Sequence, residues 1–429
     1  MASLRGVFAD TTPLQSVPFR RLWTAYIVTV IGSQLTVITV PAQIYSLTNS
    51  SAAVGMTGLF GLVPIIVFGL WGGALADHMD RRLLLIITTA GIIASSATFF
   101  AQAALGLKNV WLLWGVFAAQ QAFLAINQPT RTAIMPHLVP VSQLPAANML
   151  QSTVTMAGAI VGPLVGGALM PLLGYSWLYL IDTVTLFATL FAVIALPRLP
   201  VDNKVGSPGL KSVIDGFGYL RGNRVLLVSF AVDLVAMICG MPRALYPQIA
   251  HLTFGGPQGG GIQFALLNMG MAIGAVAGGI FSGWVSRVRR HGLVVLGCVM
   301  TWGVVVALFG GGLFLVPWWP ATLVLAVAVD LLAVGGAADA VSASFRQSIL
   351  LASADDAVRG RLQGIYIVVV TGGPRIADIV HGYVATKAGT GWTTLGGGLL
   401  VIVGTLALAL AVPEFRRFSL TPGPNASSR

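Results

Sequence analysis

Charged residues are scarce in this chain. Only 9% of its 429 residues are Asp, Glu, Lys or Arg, whereas a soluble domain carries about 25%. So few charges cannot cover a water-facing surface of this size, which excludes a soluble globular protein and means that most of the chain must face lipid. Backbone groups in lipid must pair with one another, which leaves helices or closed barrels. The apolar runs of about 20 residues fit helices, because barrel strands are about half as long and alternate.

Cysteine and histidine are also rare, with two and five residues respectively. Both Cys239 and Cys298 fall inside apolar runs, so we expect packing rather than a disulfide framework. The histidines are scattered, and neither a His-Glu-x-x-His nor a Gly-x-Ser-x-Gly motif occurs. A nucleotide-binding loop of the Walker type is missing too. We therefore expect no enzyme, no metal, no cofactor and no nucleic-acid partner, and any transport should use an ion gradient.

Apolar runs between polar breaks predict twelve membrane helices. The runs near 319–345 and 361–386 contain charged residues, so they are the least regular. The predicted spans are 22–46, 54–75, 83–105, 110–130, 148–172, 177–196, 225–250, 262–286, 291–315, 319–345, 361–386 and 393–412.

Lysine and arginine divide unevenly between the two sides of these helices. Of the 24 basic residues, 20 fall on one side, including Arg131 and Arg346 directly after predicted helices 4 and 10. Two fall on the other side, and the last two lie inside helices. Cytoplasmic loops carry the excess of Lys and Arg, so both termini are expected in the cytoplasm, which requires an even number of helices.

The chain also shows an internal repeat. The glycine pair at 72–73 recurs 206 residues later at 278–279, and Arg131 recurs 215 residues later as Arg346. Two six-helix halves describe a large class of secondary transporters. The predicted division is an N-terminal half at 1–197, a cytoplasmic linker at 198–224, a C-terminal half at 225–413 and a cytoplasmic tail at 414–429.

The turn between predicted helices 2 and 3 reads Gly73-Ala-Leu-Ala-Asp77-His-Met-Asp-Arg81-Arg82. It resembles the loop motif of the major facilitator superfamily, in which glycine, three residues, aspartate and a basic pair follow one another. Gly73 allows close helix approach, and Asp77 lies at a helix end, where it pairs with a neighbouring base or helix N-terminus. The resemblance implies a loop that joins the halves in one access state and releases them in the next. Simple anchoring of the turn in the cytoplasm is the alternative.

Predicted helix 5 contains a glycine stripe at steps of four residues. Its residues are Gly158, Gly162, Pro163, Gly166 and Gly167, and they resemble the glycine-proline motif of antiporters in the same superfamily. The glycines permit close helix contact, and the proline removes a backbone hydrogen bond. The alternative is a packing face that any membrane helix can carry.

Two further stretches, 127–140 and 361–378, resemble the enterobactin-exporter branch of the superfamily. With 40–44 and 245–247, the resemblance extends from about Phe19 to Phe418. It implies the twelve-helix major facilitator fold in two pseudo-symmetric halves. It also implies export of catecholate siderophores by proton antiport.

Ionisable residues inside predicted membrane helices are candidate functional groups, because charge in lipid is costly. Arg375 and Asp378 are three residues apart and share a helix face. They form either a structural salt bridge or a pair that protonation opens, freeing the arginine for anionic cargo. By position alone, Asp339 near the cytoplasmic end of helix 10 and Asp182 near the outer end of helix 6 are expected to reach water. The predicted proton carriers are Asp233, Asp378 and Asp330, with Arg243 and Arg375 as charge partners.

Polar side chains on several helices predict a wet central cavity. Interhelical hydrogen bonding is the alternative for each of them. The predicted cavity residues are Gln34, Gln43, Gln121, Asn127, Tyr246, Gln263 and Asn268.

These observations predict a multi-pass protein of the cytoplasmic membrane, acting as a monomer with protons, a small-molecule substrate and the lipid bilayer as partners. The expected function is proton-coupled export of an enterobactin-type siderophore. The alternatives are a multidrug efflux antiporter of the same superfamily and, from another class, a non-transporting membrane receptor. Solute import is disfavoured because it leaves the helix 5 motif without a role.

Overall fold

The computed structural model describes residues 10–197, 218, 220, 222–353 and 356–419. Within these ranges the side chains of 70–74, 76–78, 283–284, 286, 356–361, 363–364 and 367 are not described. The predicted linker at 198–224 and the predicted tail at 414–429 therefore lie largely or partly outside the described residues.

All regular secondary structure in the described residues is helical. The helices are α1 (Val17–Thr48), α2 (Ser51–His78), α3 (Arg81–Ala104), α4 (Val110–Leu138), α5 (144–173), α6 (175–194), α7 (Arg224–Gly240), α8 (Ile262–Ile280), α9 (His291–Gly312), α10 (Ala321–Ser353), α11 (Asp356–Ala388), α12 (Thr390–Ala411) and the short α13 (Pro413–Arg417). Short helical turns lie at Thr12–Gln15, Val141–Gln143, Arg243–Leu245, Tyr246–Gln248, Ile249–Thr253, Ser282–Arg287 and Leu313–Leu315.

Twelve of these helices account for the membrane crossings. By length and hydropathy, 10 segments of the described chain can span a membrane, and one of these, Val141–Ile194, is 54 residues long. Gly174 divides it into α5 and α6, because its φ of 75° and ψ of 173° are not helical and only glycine adopts such angles at little cost. Helix α11 supplies the remaining crossing. The predicted all-α architecture with twelve membrane helices is confirmed.

The largest errors in the predicted helix ends occur in three helices. Helices α4 and α10 continue to Leu138 and Ser353, so Arg131 and Arg346 lie inside helices and not in loops. The helices continue because buried apolar residues, such as Ile134 and Ile349, follow each arginine at helical spacing. Helix α7 ends at Gly240, and a separate turn begins at Arg243.

The described residues group into two compact units. The first contains those of 1–49, 60–209 and 257–265, and the second contains those of 50–59, 210–256 and 266–429. Residues 50–59, which include the start of α2, belong to the second unit although the predicted N-terminal half contains them. Residues 257–265 belong to the first unit although the predicted C-terminal half contains them.

The first unit is built on close contact between α1 and α5. A Cβ at Gly162 would lie 2.2 Å from Cβ of Gln34, and one at Gly166 would lie 2.5 Å from Cδ1 of Ile38. Because these glycines and their neighbours on α1 both advance by four residues, the two backbones run together along one stripe. The glycine spacing in α5 therefore has a packing role.

The second unit has equally close backbone contacts. A Cβ at Gly274 of α8 would lie 1.7 Å from the carbonyl oxygen of Ala333 on α10. Its core includes Phe230, Trp302 and Phe345 from α7, α9 and α10. This packing positions the charged residues of α7 and α10 described below.

Candidate functional site

A buried ion pair lies in the core of the second unit. Nη1 of Arg346 on α10 is 2.9 Å from Oδ1 of Asp233 on α7, and the two side chains are only 3% and 1% exposed. Nη2 of the same arginine is 3.7 Å from Oδ1 of Asp339, which lies two helical turns earlier on α10 and is 27% exposed. Ser342 accepts a hydrogen bond of 3.2 Å from Arg346 Nη1. One arginine therefore balances two carboxylates.

The contact between Asp233 and Arg346 depends on charge more than on hydrogen bonding. Neither oxygen of Asp233 has a well-aligned hydrogen-bond donor among the described residues, although the nitrogen is within ion-pair distance. A small cavity adjoins this ion pair, so there is space beside the Asp233 carboxylate. The residues around this cavity are Ser229, Phe230, Asp233, Arg346, Leu350 and Tyr366.

The structure thus gives Asp233 a partner that the sequence does not predict. The sequence places Arg346 in a loop because it follows an apolar run. Arg243, the predicted partner on the same segment, is exposed in the turn that follows α7. The available signal is the internal repeat, which puts Arg346 and Arg131 at corresponding positions of two similar helices.

A second group of charges lies where α11 meets the start of α2, within the same unit. Asp378 is buried, accepts a backbone hydrogen bond from Ala244 and lies within electrostatic reach of Arg243 and Arg375. A Cβ at Gly58 would lie 2.2 Å from the carbonyl oxygen of Arg375, so the two helices are in backbone contact there. Three of the predicted charged residues are therefore brought together.

His381 is not among the predicted site residues and lies one turn after Asp378 on α11. It is 3% exposed, and its Nε2 is 2.9 Å from the carbonyl oxygen of Cys239 at the end of α7. Its Nδ1 has no partner among the described residues. The sequence shows His381 only as one of five scattered histidines without a metal-ligand or catalytic motif, and nothing local connects it with Asp378.

The other two membrane aspartates differ from their predicted surroundings. Asp330 on α10 is exposed and lies nine residues, or about 13 Å, from Asp339 along the helix. Asp182, which was expected to reach water, is only 1% exposed. Its Oδ2 accepts hydrogen bonds from Thr36 at 2.6 Å and Ser96 at 2.8 Å. Position along the helix was misleading because hydroxyls on α1 and α3 cover this carboxylate.

The basic pair of the loop motif binds backbone carbonyl oxygens of two other helices within the first unit. Arg81 Nη1 donates to the carbonyl oxygen of Ala133 on α4 at 3.3 Å, and Arg82 Nη2 donates to that of Ile194 on α6 at 2.5 Å. Ile194 is the last residue of α6, and the carbonyl end of a helix attracts cations. The two hydrogen bonds fix the turn against α4 and α6. The side chain of Asp77 is outside the described set, and its predicted role stays a prediction.

Several predicted cavity residues make hydrogen bonds between helices. Gln43 is 4% exposed, and its Oε1 accepts from Gln102 at 3.0 Å and from Tyr179 at 2.9 Å. Asn127 Nδ2 donates to Thr88 Oγ1 at 2.8 Å. The structure therefore supplies interhelical partners for Gln43 and Asn127.

The remaining cavity candidates have mixed surroundings. Gln121 and Tyr246 are buried, and the Tyr246 ring lies edge-on to Phe309 at 6.4 Å. Gln34 is half-buried on α1 against Gly162. Gln263 and Asn268 are half-buried on α8, and the Oε1 of Gln263 has no partner among the described residues. The cavity role of these residues stays a prediction.

Comparison with known proteins identifies the family. The model of the transmembrane secretion effector family matches residues 8–425. The enterobactin exporter EntS of Escherichia coli O139:H28 is 28% identical over 417 residues, which is 94% of each chain. EntS of Shigella boydii serotype 18 gives the same identity and coverage.

Solved structures of major facilitator transporters share the fold. The nucleoside transporter NupG, crystallised as a point mutant, superposes with a TM-score of 0.71 at 14% identity, over 93% of this chain and 99% of that one. The D-xylose-proton symporter gives a TM-score of 0.65 at 14% identity, over 95% and 98%. At such identities these structures establish the fold and not the cargo.

Proposed function

Because this chain belongs to the transmembrane secretion effector family of the major facilitator superfamily, we propose that it exports an enterobactin-type siderophore in exchange for protons. Membership makes it a multi-pass membrane transporter and not an enzyme. The 28% identity to enterobactin exporters over 94% of the chain supports the class of cargo. The buried contact between Asp233 and Arg346 is the observation that carries the proton-coupling step.

In the proposed mechanism Asp233 takes up the proton. Its carboxylate has charge compensation from Arg346 but no aligned hydrogen-bond donor among the described residues, so protonation removes its main attraction to the arginine. Of its two carboxylates, Arg346 then keeps Asp339 at 3.7 Å, which like its hydrogen-bond acceptor Ser342 is on its own helix. A proton therefore weakens the link between α7 and α10 and leaves each helix intact, which allows the two helices to shift relative to one another.

Asp378 is the second proposed proton site. It is buried beside Arg243 and Arg375, and its helix contacts the backbone of α2. Protonation there changes the net charge at this helix contact. We further propose that the protein is a monomer of the cytoplasmic membrane with both termini in the cytoplasm, as the distribution of Lys and Arg indicates.

Transport into inside-out vesicles tests this proposal. Vesicles with an acidic lumen are expected to accumulate a catecholate siderophore, and a protonophore should abolish the accumulation. Asp233→Asn should remove the response to the gradient, because an amide cannot exchange the proton. Glu414→Gln is the matched control, since Glu414 is 60% exposed and meets Arg224 only at 3.8 Å.

Each outcome of this assay is decisive. Gradient-driven uptake of cationic drugs in place of the siderophore would support the multidrug efflux alternative. Uptake of neither compound would reject the exporter proposal. Siderophore uptake that is unchanged in Asp233→Asn would leave the cargo assignment in place and refute the coupling role of the buried pair.

A further inference from the structure

Each half of the sequence places one arginine at the corresponding point of the internal repeat. Arg346 on α10 has two carboxylates within 4 Å, namely Asp233 at 2.9 Å and Asp339 at 3.7 Å. Arg131, 215 residues earlier on α4, instead has its guanidinium carbon 3.9 Å from the ring centroid of Tyr26 on α1. The two arginines are thus similar in sequence position and different in their neighbours.

The two arginines contact different residues on the first helix of each half, namely Tyr26 on α1 and Asp233 on α7. Tyr26 precedes Asp233 by 207 residues, within one residue of the offset of 206 between the glycine pairs. Tyr26 therefore occupies in the N-terminal half the place that Asp233 occupies in the C-terminal half. Where the second arginine meets a carboxylate, the first meets a neutral aromatic ring.

Most of the Arg131 guanidinium also lacks a hydrogen-bond partner within the part of the chain that the structure describes. Its Nε and Nη2 atoms are buried and have no acceptor among the described residues. Helices α1, α3, α4 and α5 contain no Asp or Glu, and the acidic residue of α2, Asp77, has a side chain outside the described set. The single acidic residue of α6, Asp182, is bonded to Thr36 and Ser96. A buried cation with two unmet donors is costly, and an anion would remove that cost.

The ring under the guanidinium is held in place. Thr155 on α5 donates to the carbonyl oxygen of Gln151 at 3.0 Å, which leaves its oxygen as the acceptor for the Tyr26 hydroxyl at 2.9 Å. A tyrosine fixed in this way offers a cation–π platform for the arginine. The stacking orients the guanidinium plane without neutralising its charge.

We propose that Arg131 binds a planar two-oxygen anion, a carboxylate or a catecholate, of the transported molecule. This inference rests on the proposed function as an exporter and specifies the charge of its substrate. The unpartnered Nε and Nη2 atoms form the guanidinium edge that binds two oxygens side by side. In the absence of the anion the arginine rests on Tyr26, and binding draws that edge onto the substrate. Arg346 gains nothing comparable from an anion, because two carboxylates already compensate it.

Equilibrium binding to the purified full-length chain tests this inference without any gradient. The probes are benzoate, which has only a carboxylate, 2,3-dihydroxybenzamide, which has only a catechol, and benzamide as the neutral control. Isothermal titration calorimetry should show saturable binding of at least one of the first two. Arg131→Gln should weaken that binding by about ten- to a hundredfold, since charged hydrogen bonds are lost. Arg224→Gln, at a site 76% exposed, should leave it unchanged.

A second variant separates binding from folding. Tyr26→Asp copies the C-terminal arrangement into the N-terminal half and supplies the missing carboxylate. It should abolish anion binding while keeping the melting temperature at or above that of the wild type. A purely structural role for Arg131 predicts normal binding in this variant.

The two probes distinguish the sources of the anion. Arg131-dependent binding of benzoate identifies a carboxylate, and Arg131-dependent binding of the dihydroxybenzamide alone identifies a catecholate. Binding that is absent in the wild type, or unchanged in Arg131→Gln or Tyr26→Asp, overturns the inference. Failure of the vesicle assay with Arg131-dependent binding intact would reject the exporter function and not this site.

Discussion

Removing the charge of Arg346 should destabilise the protein more than removing the charge of Asp233, one of the two carboxylates that it contacts. At an effective dielectric constant of about 20, the contacts of Arg346 at 2.9 Å and 3.7 Å correspond to attractions of about 6 and about 4.5 kcal/mol. Breaking a buried pair typically costs about 3–5 kcal/mol net, because the remaining charge is uncompensated. Asp233→Asn leaves Arg346 with Asp339 as a compensating carboxylate, so we expect a loss below this range. Arg346→Gln leaves two carboxylates without a cation, so we expect about 3–5 kcal/mol.

The double variant gives the sharper test. Combining Asp233→Asn with Arg346→Gln leaves only Asp339, which is 27% exposed and partly hydrated. The double variant should therefore be more stable than Arg346→Gln alone, although it carries one substitution more. Thermal unfolding of purified protein in one detergent measures the order, with Asp330→Asn as the exposed control on the same helix. A double variant that is less stable than both single variants would show that the three charges do not act together.

Two further predictions concern packing and buried hydroxyls. Gly274→Ala should lower stability by about 1–3 kcal/mol, because its Cβ would lie 1.7 Å from a backbone oxygen of α10. Gly279→Ala on the same helix is the control. Its Cβ would meet nothing within 4 Å, so it should be neutral in the same thermal unfolding assay. Equal effects of the two substitutions would contradict the close contact of α8 with α10. Asp182→Ala should cost about 1–3 kcal/mol, because Thr36 and Ser96 lose their acceptor; an unchanged melting temperature would mean that these hydroxyls find other acceptors.

The fold was predictable from the sequence because lipid imposes strong constraints on it. Apolar run length and the distribution of Lys and Arg are sufficient to count helices, and the structure agrees with the count of twelve. The broken segment around Gly174 was also predicted as two helices, since polar and small residues there interrupt the apolar run. Hydropathy and loop charge act over whole segments, so they tolerate errors at single residues.

The site was less predictable because it depends on pairs. Hydropathy marked Asp233 as costly in lipid, but its partner is 113 residues away on another helix, and no local spacing connects Asp233 with Arg346. Arg346 was misplaced because a lone arginine after an apolar run usually marks a loop. Asp182 was misplaced for a related reason, since the hydroxyls that cover it come from α1 and α3.

The internal repeat carries more functional information than either arginine alone. In the sequence, Arg131 and Arg346 each follow an apolar run, so each by itself fits the excess of positive charge in cytoplasmic loops. The structure places both inside helices. Their neighbours differ at the position of Tyr26 and Asp233, where a ring replaces a carboxylate. A compensated arginine is suited to a contact that protonation can open, whereas an uncompensated one is suited to an anion that arrives and leaves. We therefore propose that this one difference between the first helices of the two halves gives them the two different tasks that antiport requires.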